Sequence, residues 1–181
     1  MDNKKQAFGI NYSRTFKNII VYTKEDLIEN LNKWNGKDQC YVSLNEFEVI
    51  DGVNPAWNYA VFDRLLIECN YDSVVNLLNI VKDAEFKKQF NFGYSVWYIG
   101  NNKFYWFFLL KNELEKIFPL VDEIEVFLKQ RGVEDGLNRK PDKKILMLGT
   151  YNLLTKRIVT SIGEEEIQQG LDFIDAGAVK K

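Results

Sequence analysis

The spacing of apolar residues along this chain changes period several times, and each change marks an element. Ile19-Ile20-Val21-Tyr22 is a short run of strand type. Thr23 then stands three residues before Asp26, an N-cap pattern. Leu27, Ile28 and Leu31 follow at helical spacing, so a helix is expected as far as Trp34, ending at Asn35-Gly36. Residues 40–44 read as a strand, with 47–50 its continuation after a bend. Residues 51–55 are turn-rich. Residues 59–69 form a long apolar run, expected to be a central strand buried on both faces near its end.

Asp72 or Ser73 is the expected cap of the next helix. Val74, Val75, Leu77, Leu78 and Val81 form its stripe, and it extends to Phe86 or Phe90. Residues 94–99 and 103–110 are aromatic and β-branched, and Gly100-Asn101-Asn102 between them is a hairpin signal. Residues 112–118 and 120–130 read as helical, with Pro119 suited to a first turn. A polar loop spans 132–141. Residues 145–148 and 157–162 read as a second strand pair. Residues 164–174 form a terminal helix whose three leading glutamates suit the helix dipole.

Hairpins dominate the middle of the chain, and helices are interspersed with them. The pattern predicts an α+β fold with a mixed or antiparallel central sheet flanked by helices. The 181 residues fit a single domain over 16–175, with a flexible segment at 1–15 and a frayed tail at 176–181.

Composition narrows the chemistry. The chain is 46% hydrophobic and 14% aromatic, with 24 basic against 26 acidic residues. A net charge of −2 argues against a surface coated in nucleic acid but leaves room for one basic groove. There is no histidine, which removes His-based zinc sites, the Ser-His-Asp triad and the Cys-His dyad. Cys40 and Cys69 lie far apart without metal-ligand spacing. They read as reduced core thiols, with a disulfide as the other arrangement. No apolar stretch follows the polar start, and the run 104–110 is far too short to span a bilayer, so a soluble, cytoplasmic protein is expected. No P-loop and no dinucleotide-binding glycine pattern is present.

Three segments, in order, resemble the motifs of the archaeo-eukaryotic primase superfamily. Phe62-Asp63-Arg64-Leu65-Leu66-Ile67-Glu68-Cys69-Asn70 is similar to that family's strand ending in two acids, with Glu68 and Asn70 at the acidic positions. Tyr98-Ile99-Gly100-Asn101-Asn102-Lys103-Phe104-Tyr105-Trp106 resembles its Ser-Gly-x-x-Gly-x-His hairpin. Ile99 replaces the serine, and Tyr105 or Trp106 the histidine. The stretch from Asp142 through Ile145-Leu146-Met147-Leu148-Gly149-Thr150-Tyr151-Asn152 to Arg157 resembles the family's third acid, strand and Gly-Ser-Leu-His turn, with Asn152 where a histidine is usual.

The resemblance spans about residues 40–162 and implies a primase-like fold with an RRM-like core. It also implies one cleft lined by all three segments. In the family, three carboxylates hold two Mg²⁺ or Mn²⁺ ions for phosphoryl transfer. Here Asn70 offers only a neutral carbonyl oxygen, and Glu68 is one methylene longer than the aspartate it replaces. The resemblance therefore implies a vestigial catalytic set of Glu68, Asn70 and Asp142, with Glu68 and Asp142 left for a metal.

Nucleic-acid or nucleotide contacts fall to Lys103, Tyr105, Trp106, Arg139, Lys143, Lys144, Asn152 and Arg157, joined by Lys140 and Lys156 in the basic stretches. Plainer roles stand beside these: Glu68 as a solvent-facing or ion-paired carboxylate, the aromatic strand as core, and the basic cluster as a solvated loop. If one face of 104–108 were exposed, unpaired bases would stack there.

Three functions remain open. The first is a non-catalytic domain binding single-stranded DNA or RNA, or serving as an accessory to replication proteins of the cell or a mobile element. The second is a metal-dependent nucleotidyltransferase with altered ligands. The third is a protein-interaction module.

Overall fold

Two aromatic runs separated by a short turn pair with each other and build the centre of the molecule. The computed structural model describes residues 8–12, 17–21, 23–49, 55–114 and 117–177. The elements run β1 (Phe8–Tyr12), β2 (Lys17–Val21), α1 (Lys24–Trp34), β3 (Tyr41–Ser43), β4 (Glu46–Val49), β5 (Pro55–Cys69), α2 (Tyr71–Lys82), α3 (Ala84–Gln89), β6 (Gly93–Gly100) and β7 (Lys103–Leu114). They continue with α4 (Phe118–Lys129), β8 (Lys144–Leu146), β9 (Tyr151–Asn152), β10 (Arg157–Ile158), β11 (Thr160–Ile162), α5 (Glu164–Gln169) and α6 (Leu171–Gly177).

The main sheet has the order β11-β6-β7-β5-β4, a second sheet the order β2-β1-β3-β8, and β9 and β10 form a small ribbon. All these pairings are antiparallel. The α+β expectation holds.

Strand alternation sorts the core into two layers. Leu65, Ile67 and Cys69 of β5 stand opposite Phe108, Trp106 and Phe104 of β7. These six face the helices, where they meet Val74, Leu77, Val121 and Ile124. Leu66 stands opposite Phe107 on the other face, which packs on Val42, Leu44, Ile145 and Leu146 of the second sheet. Burial on both faces accounts for the unbroken apolar run of β5. Trp106 is fully buried and stacks on Tyr94 with ring centroids 4.9 Å apart.

Several local expectations are corrected. Residues 112–114 are not helical: β7 passes an irregularity and continues until Leu114 pairs with Phe62. Helix α4 starts only at Phe118, with Pro119 in its first turn. β4 does not continue β3, because the break at Leu44-Asn45 sends the two strands to different sheets. β8 and the 157–162 segment are not partners: β8 joins β3, and β11 joins β6. The cap of α2 is Asn70 rather than Asp72 or Ser73, its Oδ1 accepting from Ser73 N at 3.0 Å.

The second helix stops at Lys82, and Asp83 recaps the chain for α3. The terminal helix is broken at Gly170, whose φ of 106° no helix accommodates. Within 1–15, residues 8–12 form a strand between β2 and β3. Residues 1–7, 13–16, 22, 50–54, 115–116 and 178–181 lie outside the described residues, and with them most of the turn-rich stretch expected at 51–55. Cys40 and Cys69 are free and buried, as expected of reduced thiols. No helix among the described residues is long and apolar enough to cross a membrane.

Candidate functional site

Three sequence-distant pieces meet at one end of the main sheet. β5 ends at Cys69, and Asn70 turns the chain into α2. The β6–β7 turn lies alongside, because Glu68 pairs with Tyr105 and Cys69 with Phe104 in the adjoining strand. Asn101 and Asn102 take left-handed φ values of 53° and 55°, the backbone a two-residue hairpin turn requires. Asn102 Oδ1 accepts the N–H of Tyr71 at 2.8 Å and so ties the turn to the start of α2. A cleft of about 520 Å³ opens there, bordered by Glu68, Asn70, Asn102, Lys103, Tyr105 and Asp135 among others.

Asp135 has no counterpart in the sequence reading. Its loop runs along β5 beyond the reach of β4. Leu137 forms a bridge with Ile67, and Asn138 N–H donates to Leu66 O at 2.8 Å. This covers strand edge that would otherwise be bare and brings Asp135 to the cleft, where Ser73 Oγ donates to its Oδ2 at 2.5 Å. Burial pushes the Cys69 thiol up to about 12, and the Asp135 charge adds to that shift, which favours the protonated thiol at neutral pH. The only sequence signal for Asp135 was the pair Val133 and Leu137, two apolar residues inside an otherwise polar loop that are both buried.

Glu68 is exposed at the end of β5 and pairs with Lys143, Nζ to Oε1 2.7 Å. Lys103 borders the cleft, is exposed, and has no ion-pair partner among the described residues. The other expected contacts lie elsewhere. Asp142 is exposed but does not border the cleft. Arg139 is held by Asp122 and Glu125 of α4, at 2.8 Å each. Arg157 pairs with Asp175 of α6, which also accepts from Tyr98 OH at 2.6 Å. Lys144 is half-buried in β8 opposite Ser43; Lys140 is exposed.

Asn152 is buried and has a supporting role. Its Nδ2 donates to Ile99 O at 2.7 Å and its Oδ1 accepts from Leu154 N at 3.1 Å. Thr155 Oγ1 donates to the same Ile99 carbonyl at 3.0 Å. The β9–β10 turn thus clamps the β6–β7 turn from behind.

Neither face of 104–108 is exposed, so the condition set for base stacking is not met and the plainer reading of this strand as core holds. Trp106 is sealed beneath the helices and Phe107 beneath the second sheet. Tyr105 is 5% exposed, and its hydroxyl accepts from Leu146 N at 3.3 Å. Burial pushes that phenol up to about 12.

The donor set does not fit a two-ion centre. Asn70 Oδ1 is engaged by Ser73 N–H, Asp135 by the Ser73 hydroxyl, and Glu68 by an ammonium. Among the described residues no three Asp, Glu, Cys or His gather around a common point that could hold a metal ion.

No family model and no curated protein matches the chain. Among solved structures it is similar to the polymerase domain of ligase D from Mycobacterium tuberculosis, in complex with DNA. The TM-score is 0.55 over 91% of this chain and 76% of that one, at 8% identity. Likeness at that identity speaks for the fold alone: the chain shares the α+β fold of that domain.

Proposed function

We propose that this domain binds single-stranded nucleic acid at the cleft beside Glu68 and does not transfer nucleotides. One observation carries the reading: the end of β5, the β6–β7 turn and the start of α2 enclose one cleft, and the lysine on its border, Lys103, has no carboxylate partner among the described residues. A phosphate placed there meets an ammonium and the positive end of a twelve-residue helix. The DNA held by the structurally similar polymerase domain is consistent with such a ligand. The donors support an absence of transfer, since Asn70 carries no charge and Asp142 does not border the cleft. An accessory role beside replication proteins suits a domain of this kind.

Fluorescence anisotropy with labelled single-stranded DNA and RNA at about 50 mM salt tests the reading, because phosphate contacts are strongest there. Binding that weakens severalfold in Lys103→Glu supports it. No binding by the unaltered protein to either strand type overturns it and leaves the protein-interaction reading, which the dispersal of Arg139 and Arg157 onto α4 and α6 favours.

A further inference from the structure

We infer that Lys143 takes the place of a divalent cation at Glu68, so that the cleft receives a phosphate-bearing ligand without metal. A bare carboxylate at the mouth of such a cleft would repel phosphate. A metal-dependent site removes that repulsion with bound cations. Here the Lys143 ammonium lies 2.7 Å from Glu68 Oε1 and cancels its charge.

The lysine is positioned by backbone. Its carbonyl accepts from Leu44 N at 2.7 Å, its N–H donates to Lys140 O at 3.3 Å, and the next residue enters β8 in register with Ser43. Its side chain is 24% exposed, against 52% for Glu68, so the cation is the more sheltered member of the pair. Two of the oxygens nearby already accept hydrogen bonds: Asn70 Oδ1 and Asp135 Oδ2 each accept from Ser73. A magnesium ion would have to displace a held ammonium at Glu68, and among the described residues no three Asp, Glu, Cys or His gather to supply the near-octahedral shell it prefers.

Two measurements decide the point, and the first is independent of nucleic acid. The free protein is titrated with Mn²⁺ and followed by electron paramagnetic resonance, with Glu68→Gln as control. No Glu68-dependent uptake below about 1 mM is expected; uptake that disappears in Glu68→Gln overturns the inference.

The second rests on the proposed nucleic-acid site. Affinity for single-stranded DNA should be the same in EDTA and in Mg²⁺. Lys143→Met should lose about tenfold through the uncovered carboxylate, and Lys143→Met combined with Glu68→Gln should recover most of that loss. Mg²⁺-stimulated binding that vanishes in Glu68→Gln refutes the idea, as does a double variant no better than Lys143→Met. If the unaltered protein binds no nucleic acid, the proposed function fails while the Mn²⁺ titration still judges Lys143. Should Lys143→Met not fold, the titration and the EDTA comparison need only the unaltered protein and Glu68→Gln.

Discussion

Asn102 accepts the backbone N–H of Tyr71 through its Oδ1 at 2.8 Å, joining a hairpin turn to the first residue of a helix 31 positions earlier. Asn102 also sits at φ 55°, which asparagine tolerates better than most residues. Asn102→Gly keeps the backbone freedom and loses only the side-chain bond, so it should cost about 1 kcal/mol in urea unfolding. Asn102→Ala should cost more, since left-handed backbone adds about 1 kcal/mol for a residue with a Cβ.

Gly100 precedes that turn at φ 94°, and a Cβ there would lie 2.5 Å from Thr155 Cβ. Gly100→Ala is expected to destabilise by about 3 kcal/mol through clash and backbone strain together. Thr155→Gly by itself loses the hydrogen bond to Ile99 O, so Gly100→Ala made in that background, compared with Thr155→Gly alone, should cost only the backbone-strain part. Thermal denaturation of the single and double variants gives the split, and no cost in that background would mean that backbone strain contributes nothing.

Asn152→Leu removes a donor from Ile99 O and an acceptor from Leu154 N in a buried place. The expected loss is about 2–3 kcal/mol, the cost of stranding such groups. Thr155 still serves the Ile99 carbonyl, which sets the lower end of that range.

Arg139→Ala tests whether this paired residue contacts nucleic acid. Its guanidinium is pushed above its usual range by Asp122 and Glu125, and the pairs are partly exposed. Stability should fall by under about 1 kcal/mol, with no change in affinity for single-stranded DNA. A tenfold weaker affinity would return Arg139 to the binding surface.

Cys69 and Tyr105 are pushed from 9.0 and 10.0 up to about 12 by burial. Raised acids keep their protons longer in the folded chain than in the unfolded one. The stability linked to them is therefore complete below about pH 9 and declines as pH rises toward 12. Alkaline urea titrations should show this slope, reduced in Cys69→Val. At pH 8 a disulfide-exchange reagent should label neither cysteine until denaturant is added.

Legibility in the sequence followed the range of the interactions. The hairpin at Gly100-Asn101-Asn102 and the capping box of Thr23 and Asp26 are local, and both stand as read. The meeting of the first two segments at one cleft was legible because strand pairing of Glu68 with Tyr105 follows from two central strands being neighbours; the third segment, 142–157, contributes no residue to the cleft border, against the expectation. Asp135 was not legible: it reaches the cleft through the bridge of Leu137 to Ile67, a contact without local pattern. The burial of Trp106 and Phe107 depended on both faces of the sheet being covered, which alternation alone does not reveal. The partners of Arg139 and Arg157 lie on helices whose facing no motif records.

The edge strand β11 pairs with β6 through Thr160 and Tyr98, and this sets an order on biosynthesis. While the ribosome is still making the segment between them, β6 has no outer neighbour and its backbone groups on that side face water or chaperones. The nascent chain can zip β5, β6 and β7 together early, since they are close in sequence, but the outer seam must wait until residue 162 has left the exit tunnel.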